Sequence, residues 1–171
     1  MLEKWSGWAS FTRASAGNQL QRAERMTKGR RRKLVARKSK IIEVAAGLVF
    51  RDRKLLITQR RFKDHLGGLW EFPGGKREKN ETFEACLERE LMEELGIVVR
   101  VGEILDTVTH RYPEKAVRLK FYRCVWQRNE PRALGCHALA WISRVQLASY
   151  AFPPADARLV RKLKNSPDLW R

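Results

Sequence analysis

Cysteine is scarce in this 171-residue chain: Cys86, Cys124 and Cys136 are odd in number, far apart and without a Cys-x-x-Cys pair. Neither a disulfide framework nor a cysteine zinc site is expected, and a reducing, cytoplasmic compartment is the simplest reading. Long apolar runs are missing as well. No stretch approaches the roughly 18 residues of a membrane span, and the first residues lack the apolar core of a secretory signal. Acid is also short, with 19 Asp and Glu against 36 Lys and Arg, for a net charge of +17. The length allows one domain with a real core and an appended segment.

The charge is uneven. Residues 1–40 hold twelve Lys or Arg against Glu3 and Glu24, a balance of +10 that leaves +7 for the other 131 residues. With no sustained period of 3.6 or 2, residues 1–40 read as a disordered basic extension ahead of a domain at 41–167. Lys28 to Lys40 would attract nucleic acid or an anionic surface weakly by counterion release, with Trp5, Trp8 and Phe11 adding stacking. Three plainer readings stay open: a solubilising tail, a start at Met26, or an Arg-rich organelle leader.

Where acid does occur, it is concentrated. Gly74 and Gly75 open a loop that runs into a helix ending near Gly96. Thr82 is its N-cap, Glu84 suits the positive end of its dipole, and Gly96 is a C-terminal stop. At about 100° per residue, Glu90, Glu93 and Glu94 share one face beside the stripe Leu87, Leu91 and Leu95. Three close carboxylates repel one another and do not stabilise a helix. Either they form a solvated acidic face, or they hold a hard divalent cation such as Mg²⁺, which takes oxygen ligands and shares them with phosphates. Arg89 is placed to hold one of them by a charged hydrogen bond.

Gly75, Glu81, Arg89, Glu90, Leu91, Glu93, Glu94, Gly96 and Ile97 reproduce the Nudix box without departure. Its seven fixed letters recur by chance on the order of 10⁻⁸ per start position, so the solvated face recedes. The chain therefore resembles the Nudix hydrolases, and Leu69 to Lys76 (LWEFPGGK) is similar to the MutT-like branch. The resemblance covers about residues 42–165. It implies an α/β fold, the Nudix α/β/α sandwich with a mixed sheet. It also implies Mg²⁺, or Mn²⁺, as cofactor, and hydrolysis of a nucleoside triphosphate to a monophosphate and pyrophosphate. As metal ligands it implies Glu90, Glu94, Glu93 and the Gly74 carbonyl. The base that takes the water's proton would be Glu90, oriented by Arg89, with Glu94 as the alternative. Glu81 either lies near the metals or supports the loop.

The rest of the chain reads as follows. Ile41–Phe50 and Lys54–Arg60 form a hairpin about Arg51-Asp52-Arg53. Arg60 either faces phosphates, as in the branch, or is a solvated strand end. His65 reads as a surface residue. Gly75 allows close approach of backbone to phosphate, and Lys76 either neutralises a phosphate or is merely exposed. Ile97–Thr109, with a bulge near Gly102, Ala116–Gln127 and Ala138–Ile142 are strands. Ser143 caps a short helix to Ala148, and a last helix runs from Ala155 to Lys164.

Phe152-Pro153-Pro154-Ala155-Asp156 is similar to the Phe-Pro-Pro-Ala-Asn segment of the MutT branch, whose Asn contacts the oxidised guanine; here Asp replaces Asn. An ionised carboxylate accepts both donors of guanine's Watson–Crick edge but only one from cytosine, although cytidine-acting members carry a similar Pro-Ala-Asp. Asp156 otherwise caps the final helix. A further Glu that many relatives place before Trp141 is absent, leaving His137, Glu130 or the box alone. The favoured substrate is 8-oxo-dGTP, with CTP or dCTP next and a monomer or homodimer as the assembly. A non-catalytic Nudix protein working through its basic extension is the alternative of another class.

Overall fold

The computed structural model describes residues 41–171. The readings made for residues 1–40 lie outside them. β1 (Ile41–Arg51) and β2 (Lys54–Gln59) form the expected hairpin, whose turn residues Asp52 and Arg53 both take positive φ (51° and 59°). Two such residues give the tight turn that matches strand twist. β3 (Trp70–Glu71) and β4 (Gly74–Lys76) follow, then α1 (Phe83–Leu95). β5 (Val98–Arg111), β6 (Ala116–Arg128) and β7 (Ala138–Ile142) complete one mixed sheet, and α2 (Ala157–Asn165) comes last. β1 runs parallel to β6 from Ile41↔Ala116 to Val49↔Cys124, and β6 pairs antiparallel with β5. The β5 register slips between Val101 and Asp106, which places Gly102 within the irregularity.

Side chains alternate across the strands, so each face of the sheet carries its own core. Ala45, Val49, Leu56, Tyr122 and Cys124 face α1, whose Cys86, Leu87, Leu91 and Leu95 are fully buried against them. Ala46, Leu48, Leu55, Ile57, Leu119 and Phe121 face the other way, onto Leu159 and Leu163 of α2. This is the α/β/α sandwich. Each buried leucine contributes about 1.5–3 kcal/mol of transfer free energy. Trp170, in the 3₁₀ turn Pro167–Trp170, joins the second core and meets the Phe50 ring edge-on at 5.5 Å.

One irregularity of the sheet positions the site. β1 and β2 pair only at Phe50↔Leu55 and Arg51↔Lys54, then diverge. The fork is filled by the segment from Trp70 to Lys76: β3 pairs with β2 through Thr58↔Glu71, and β4 pairs with β1 through Ala46↔Gly74. The Gly47 amide donates to the Pro73 carbonyl at 2.8 Å and stitches the crotch of the fork. Gly74 has φ 147°, and a Cβ there would stand 2.1 Å from the Ala45 carbonyl oxygen, so only glycine fits.

Three local readings are corrected. β2 stops at Gln59, because the Arg60 backbone turns to bond Leu69 and Gly68. Ser143 does not cap a helix: its amide and hydroxyl both donate to Gln146 Oε1, and a four-residue 3₁₀ turn follows at Gln146–Ser149, anchored by buried Leu147. Asp156 stands at the N-cap position of α2 but makes no side-chain capping bond. Its backbone (φ −89°, ψ −12°) lacks the extended geometry that aims a capping carboxylate at the helix amides.

Candidate active site

The loop and α1 are joined by Arg89. Thr82 Oγ1 accepts from the Ala85 amide at 3.1 Å, and Gly96, with φ 71°, closes the C-terminus on the Met92 carbonyl at 2.9 Å. Between these caps, Arg89 donates to Glu81 Oε1 at 2.8 Å, to Glu90 Oε1 at 2.9 Å, and to Glu93 Oε2 at 3.3 Å. It also reaches the Lys76 carbonyl at 3.3 Å. Glu81 takes the Glu78 amide at 2.6 Å as well. The Arg89 guanidinium and that amide hold the Glu81 carboxyl at about 2, well below the usual range. Glu81 therefore braces the loop against the helix.

Beside this cluster lies a cavity of about 390 Å³. Glu90 and Glu94 enter its wall from α1, Gly74, Gly75 and Lys76 from β4, and Asp156 from the turn before α2. Val44, Ala46, Phe72 and Leu119 give it an apolar lining. Glu90 lies close on the loop: a Cβ at Gly75 would fall 2.2 Å from its carboxyl carbon. Glu93 differs, being 60 % exposed against 15 % for Glu90, and it is not part of the cavity wall.

Carboxylates in the cavity behave unlike Glu81. Burial, then the charges of Glu90 and Glu71, push Glu94 up to about 7, with Arg60 and Arg61 opposing. Burial, then Glu71, likewise raises Asp156 to about 7, and its side chain is only 4 % exposed as a residue. Glu71 is raised too, by burial, against the pull of Arg60. Sequence reasoning passed over Glu71, although it stands inside the quoted LWEFPGGK stretch. Arg60 lines the cavity but is engaged, donating to the Glu71 carboxylate and to the His65 carbonyl at 2.8 Å.

His65 is exposed, as read, and sits at the cavity rim edge-on to Tyr112 with ring centroids 5.8 Å apart. Tyr112, Lys115, Arg61 and Cys136 also line the cavity, though none of them stood out in the sequence as a site residue. The two residues offered in place of the absent Glu are elsewhere. Glu130 pairs with Arg51 at 2.8 Å, and His137 packs edge-on against Phe62 at 4.6 Å; neither lines the cavity.

The donor set suits a hard cation. Glu90, Glu94 and the Gly74 backbone offer oxygen alone, and a dication would offset the burial and the neighbouring charges that raise Glu94. Among the described residues no three His, Cys, Asp or Glu converge into a complete cage. Mg²⁺ commonly binds through one or two carboxylates and shares the remaining positions with water and substrate phosphates.

Comparison with known proteins agrees with this geometry. The NUDIX domain family matches residues 45–162. A protein of Proteus vulgaris named 8-oxo-dGTP diphosphatase is 46 % identical over 92 residues, covering 53 % of this chain and 82 % of that one. The CTP pyrophosphohydrolase of Escherichia coli is 36 % identical over 121 residues, covering 71 % and 90 %. The solution structure of MutT from methicillin-resistant Staphylococcus aureus 252 is 37 % identical, with a TM-score of 0.60 over 74 % of this chain and 98 % of that one. No helix among the described residues is long and apolar enough to cross a membrane. With the intact box folded against a carboxylate-lined cavity, and the family match spanning most of the described residues, the chain belongs to the Nudix family of pyrophosphohydrolases, in its MutT-like branch.

Proposed function

We propose that the protein hydrolyses a nucleoside triphosphate to a nucleoside monophosphate and pyrophosphate, with Mg²⁺ or Mn²⁺, and that 8-oxo-dGTP is its favoured substrate. The observation that carries this reading is the single cavity lined by Glu90 and Glu94 from one layer and by buried Asp156 from the other. At about 390 Å³ it falls in the range of small-molecule sites. Glu90 and Glu94, with the Gly74 carbonyl, would hold the cation, which supplies neutralisation of the phosphate oxygens so that an anionic nucleophile can approach. Glu93 supports the set from outside through Arg89.

The remaining steps fall to the chain's own residues. Arg89 fixes Glu90 through Oε1, leaving Oε2 to take a proton from the attacking water. The water oxygen bonds one phosphorus of the α–β bridge, the P–O bond on that side breaks, and its electron pair stays on the bridging oxygen, which departs with the other phosphorus. Lys76, exposed at the end of β4, offers a mobile positive charge to phosphate. Arg60 acts at one remove, holding Glu71 and the rim loop. Asp156 reads the base, with the apolar wall against the ring faces. A cytidine-directed activity is the second reading, favoured by the 36 % identity to the CTP pyrophosphohydrolase of Escherichia coli.

Pyrophosphate release would be measured with Mg²⁺ from 8-oxo-dGTP, dGTP, dCTP, 5-methyl-dCTP, ADP-ribose and a capped RNA, beside Glu90→Gln. The expected result is highest kcat/KM for 8-oxo-dGTP and loss of turnover in the variant. A preference for dCTP would move the assignment to the second reading. No turnover of any triphosphate would overturn the proposal.

A further inference from the structure

Two consecutive arginines follow β2, and they are used differently. Arg60 is committed to Glu71 and to the His65 carbonyl. Arg61 makes one hydrogen bond, from Nη2 to the Leu134 carbonyl at 2.9 Å, and is paired with no carboxylate among the described residues. A guanidinium carries five N–H donors, so most of its capacity is unspent.

Its position is fixed by the loop that carries Leu134. The amides of Leu134 and Gly135 both donate to the Glu94 carbonyl at 2.9 Å, and the Arg132 amide donates to the Leu95 carbonyl at 2.9 Å. This loop therefore hangs on the last turn of α1. The contact is close, since a Cβ at Gly135 would meet Glu94 Cγ at 2.8 Å. Leu134 is thus bonded at both ends, to Glu94 by its amide and to Arg61 by its carbonyl. The arrangement ties an unspent positive charge to the end of the cavity that Glu94, Gly135 and Cys136 line.

A plain staple of the loop needs one donor and no charge, and a glutamine would serve. A guanidinium in the wall of a cavity has a further use, because its planar fork matches two phosphate oxygens. We propose that Arg61 is a substrate-contacting residue that grips the outer phosphates of the triphosphate, the pair that departs as pyrophosphate. This rests on the pyrophosphohydrolase reading and names the residue that holds the two phosphates released as pyrophosphate. While the α–β bridge is being hydrolysed, a fixed guanidinium neutralises the charge of the outer phosphates without reorganising.

The test is calorimetric titration of the full chain, as wild type, Arg61→Gln and Arg61→Lys, with inorganic tripolyphosphate, pyrophosphate and dGMP in Mg²⁺. Arg61→Gln keeps a donor for Leu134 but removes the charge. It should weaken both polyphosphates about 10- to 100-fold, the scale of a lost charged hydrogen bond. Affinity for dGMP should hold within about twofold and Tm within about 2 °C, with partial recovery in Arg61→Lys. Unchanged polyphosphate affinity in Arg61→Gln would overturn the proposal. So would parallel loss of polyphosphate affinity, dGMP affinity and Tm, which marks a loop staple, or a wild type that binds no polyphosphate. Should no nucleotide be turned over, tripolyphosphate binding still reads Arg61 independently of the proposed activity.

Discussion

Two groups of carboxylates stand side by side and titrate in opposite directions. Glu81, on Arg89, is held down to about 2, whereas Glu94 and Asp156, in the cavity, are lifted to about 7. The residue types hardly differ; their surroundings do. Glu81 meets a guanidinium and a backbone amide, while the cavity pair meets apolar walls and other acids. The first group is electrostatically finished and holds the loop. The second is unfinished, and under the proposed function a cation or a base with hydrogen-bond donors would complete it.

The largest break in this contrast comes from the cavity wall. Glu90→Gln and Glu94→Gln should each lower turnover by about 10²- to 10⁴-fold, and more where a metal is lost too. Glu94→Gln should nonetheless keep or raise the Tm of the metal-free protein, because it removes a carboxylate that resists ionisation. A fall in Tm as large as the fall in activity would mean that Glu94 is structural. Next is Arg89→Gln, which releases Glu81, Glu90 and Glu93 together. Turnover should fall about 10- to 100-fold, and Glu81 should titrate nearer the ordinary range by NMR.

A smaller effect concerns the base. The ionised Asp156 accepts twice, as guanine's N1–H and amine require, whereas the neutral acid offers one donor and one acceptor and also fits cytosine's N3 and N4. The ratio of kcat/KM for guanine over cytosine nucleotides should therefore rise about tenfold as pH passes upward through about 7. Asp156→Asn, which always offers one donor and one acceptor, should flatten that profile. A profile unchanged in the variant would remove Asp156 from base reading.

The smallest effect is on stability. Acids raised in the folded state bind protons that the unfolded chain has released, so the metal-free protein should lose stability as pH climbs from about 4.5 to about 7. The lowered Glu81 acts below that window, its contribution being lost as pH falls from about 4.5 toward about 2. Thermal melts should show Tm dropping by roughly 5 °C across the upper window, and Mg²⁺ should restore part of it through Glu94.

How much of this was legible depends on how local each cause is. Thr82, Gly96 and the stripe Leu87, Leu91, Leu95 announce α1 within fifteen residues, and the box spacing places its acids on one side. β7 is bounded as read, Ala138–Ile142, for a similar reason. Glu71 was not legible as a cavity acid, since its strand is two residues long and exists only because the β1–β2 fork admits it. Arg60 and Arg61 look alike in sequence, and what separates them is the partner each meets, a carboxylate for Arg60 and a backbone carbonyl for Arg61. Glu93 read as completing the cluster of Glu90 and Glu94, but its side chain is 60 % exposed and lies outside the cavity wall. Asp156 read as a base contact with a helix cap as the alternative, and its backbone angles remove the cap.

The parallel pairing of β1 with β6 also orders events in time. A chain emerging from its N-terminus completes the whole box by Ile97, yet β1 has no parallel neighbour until Ala116–Cys124 arrive. Val117 and Leu119, which line the cavity, come with that strand, and Pro153, Ala155 and Asp156 follow some thirty residues later. The nascent polypeptide thus carries its entire acidic helix before it owns any chamber in which to use it. Competence waits on contacts distant in sequence, and these are slow to form.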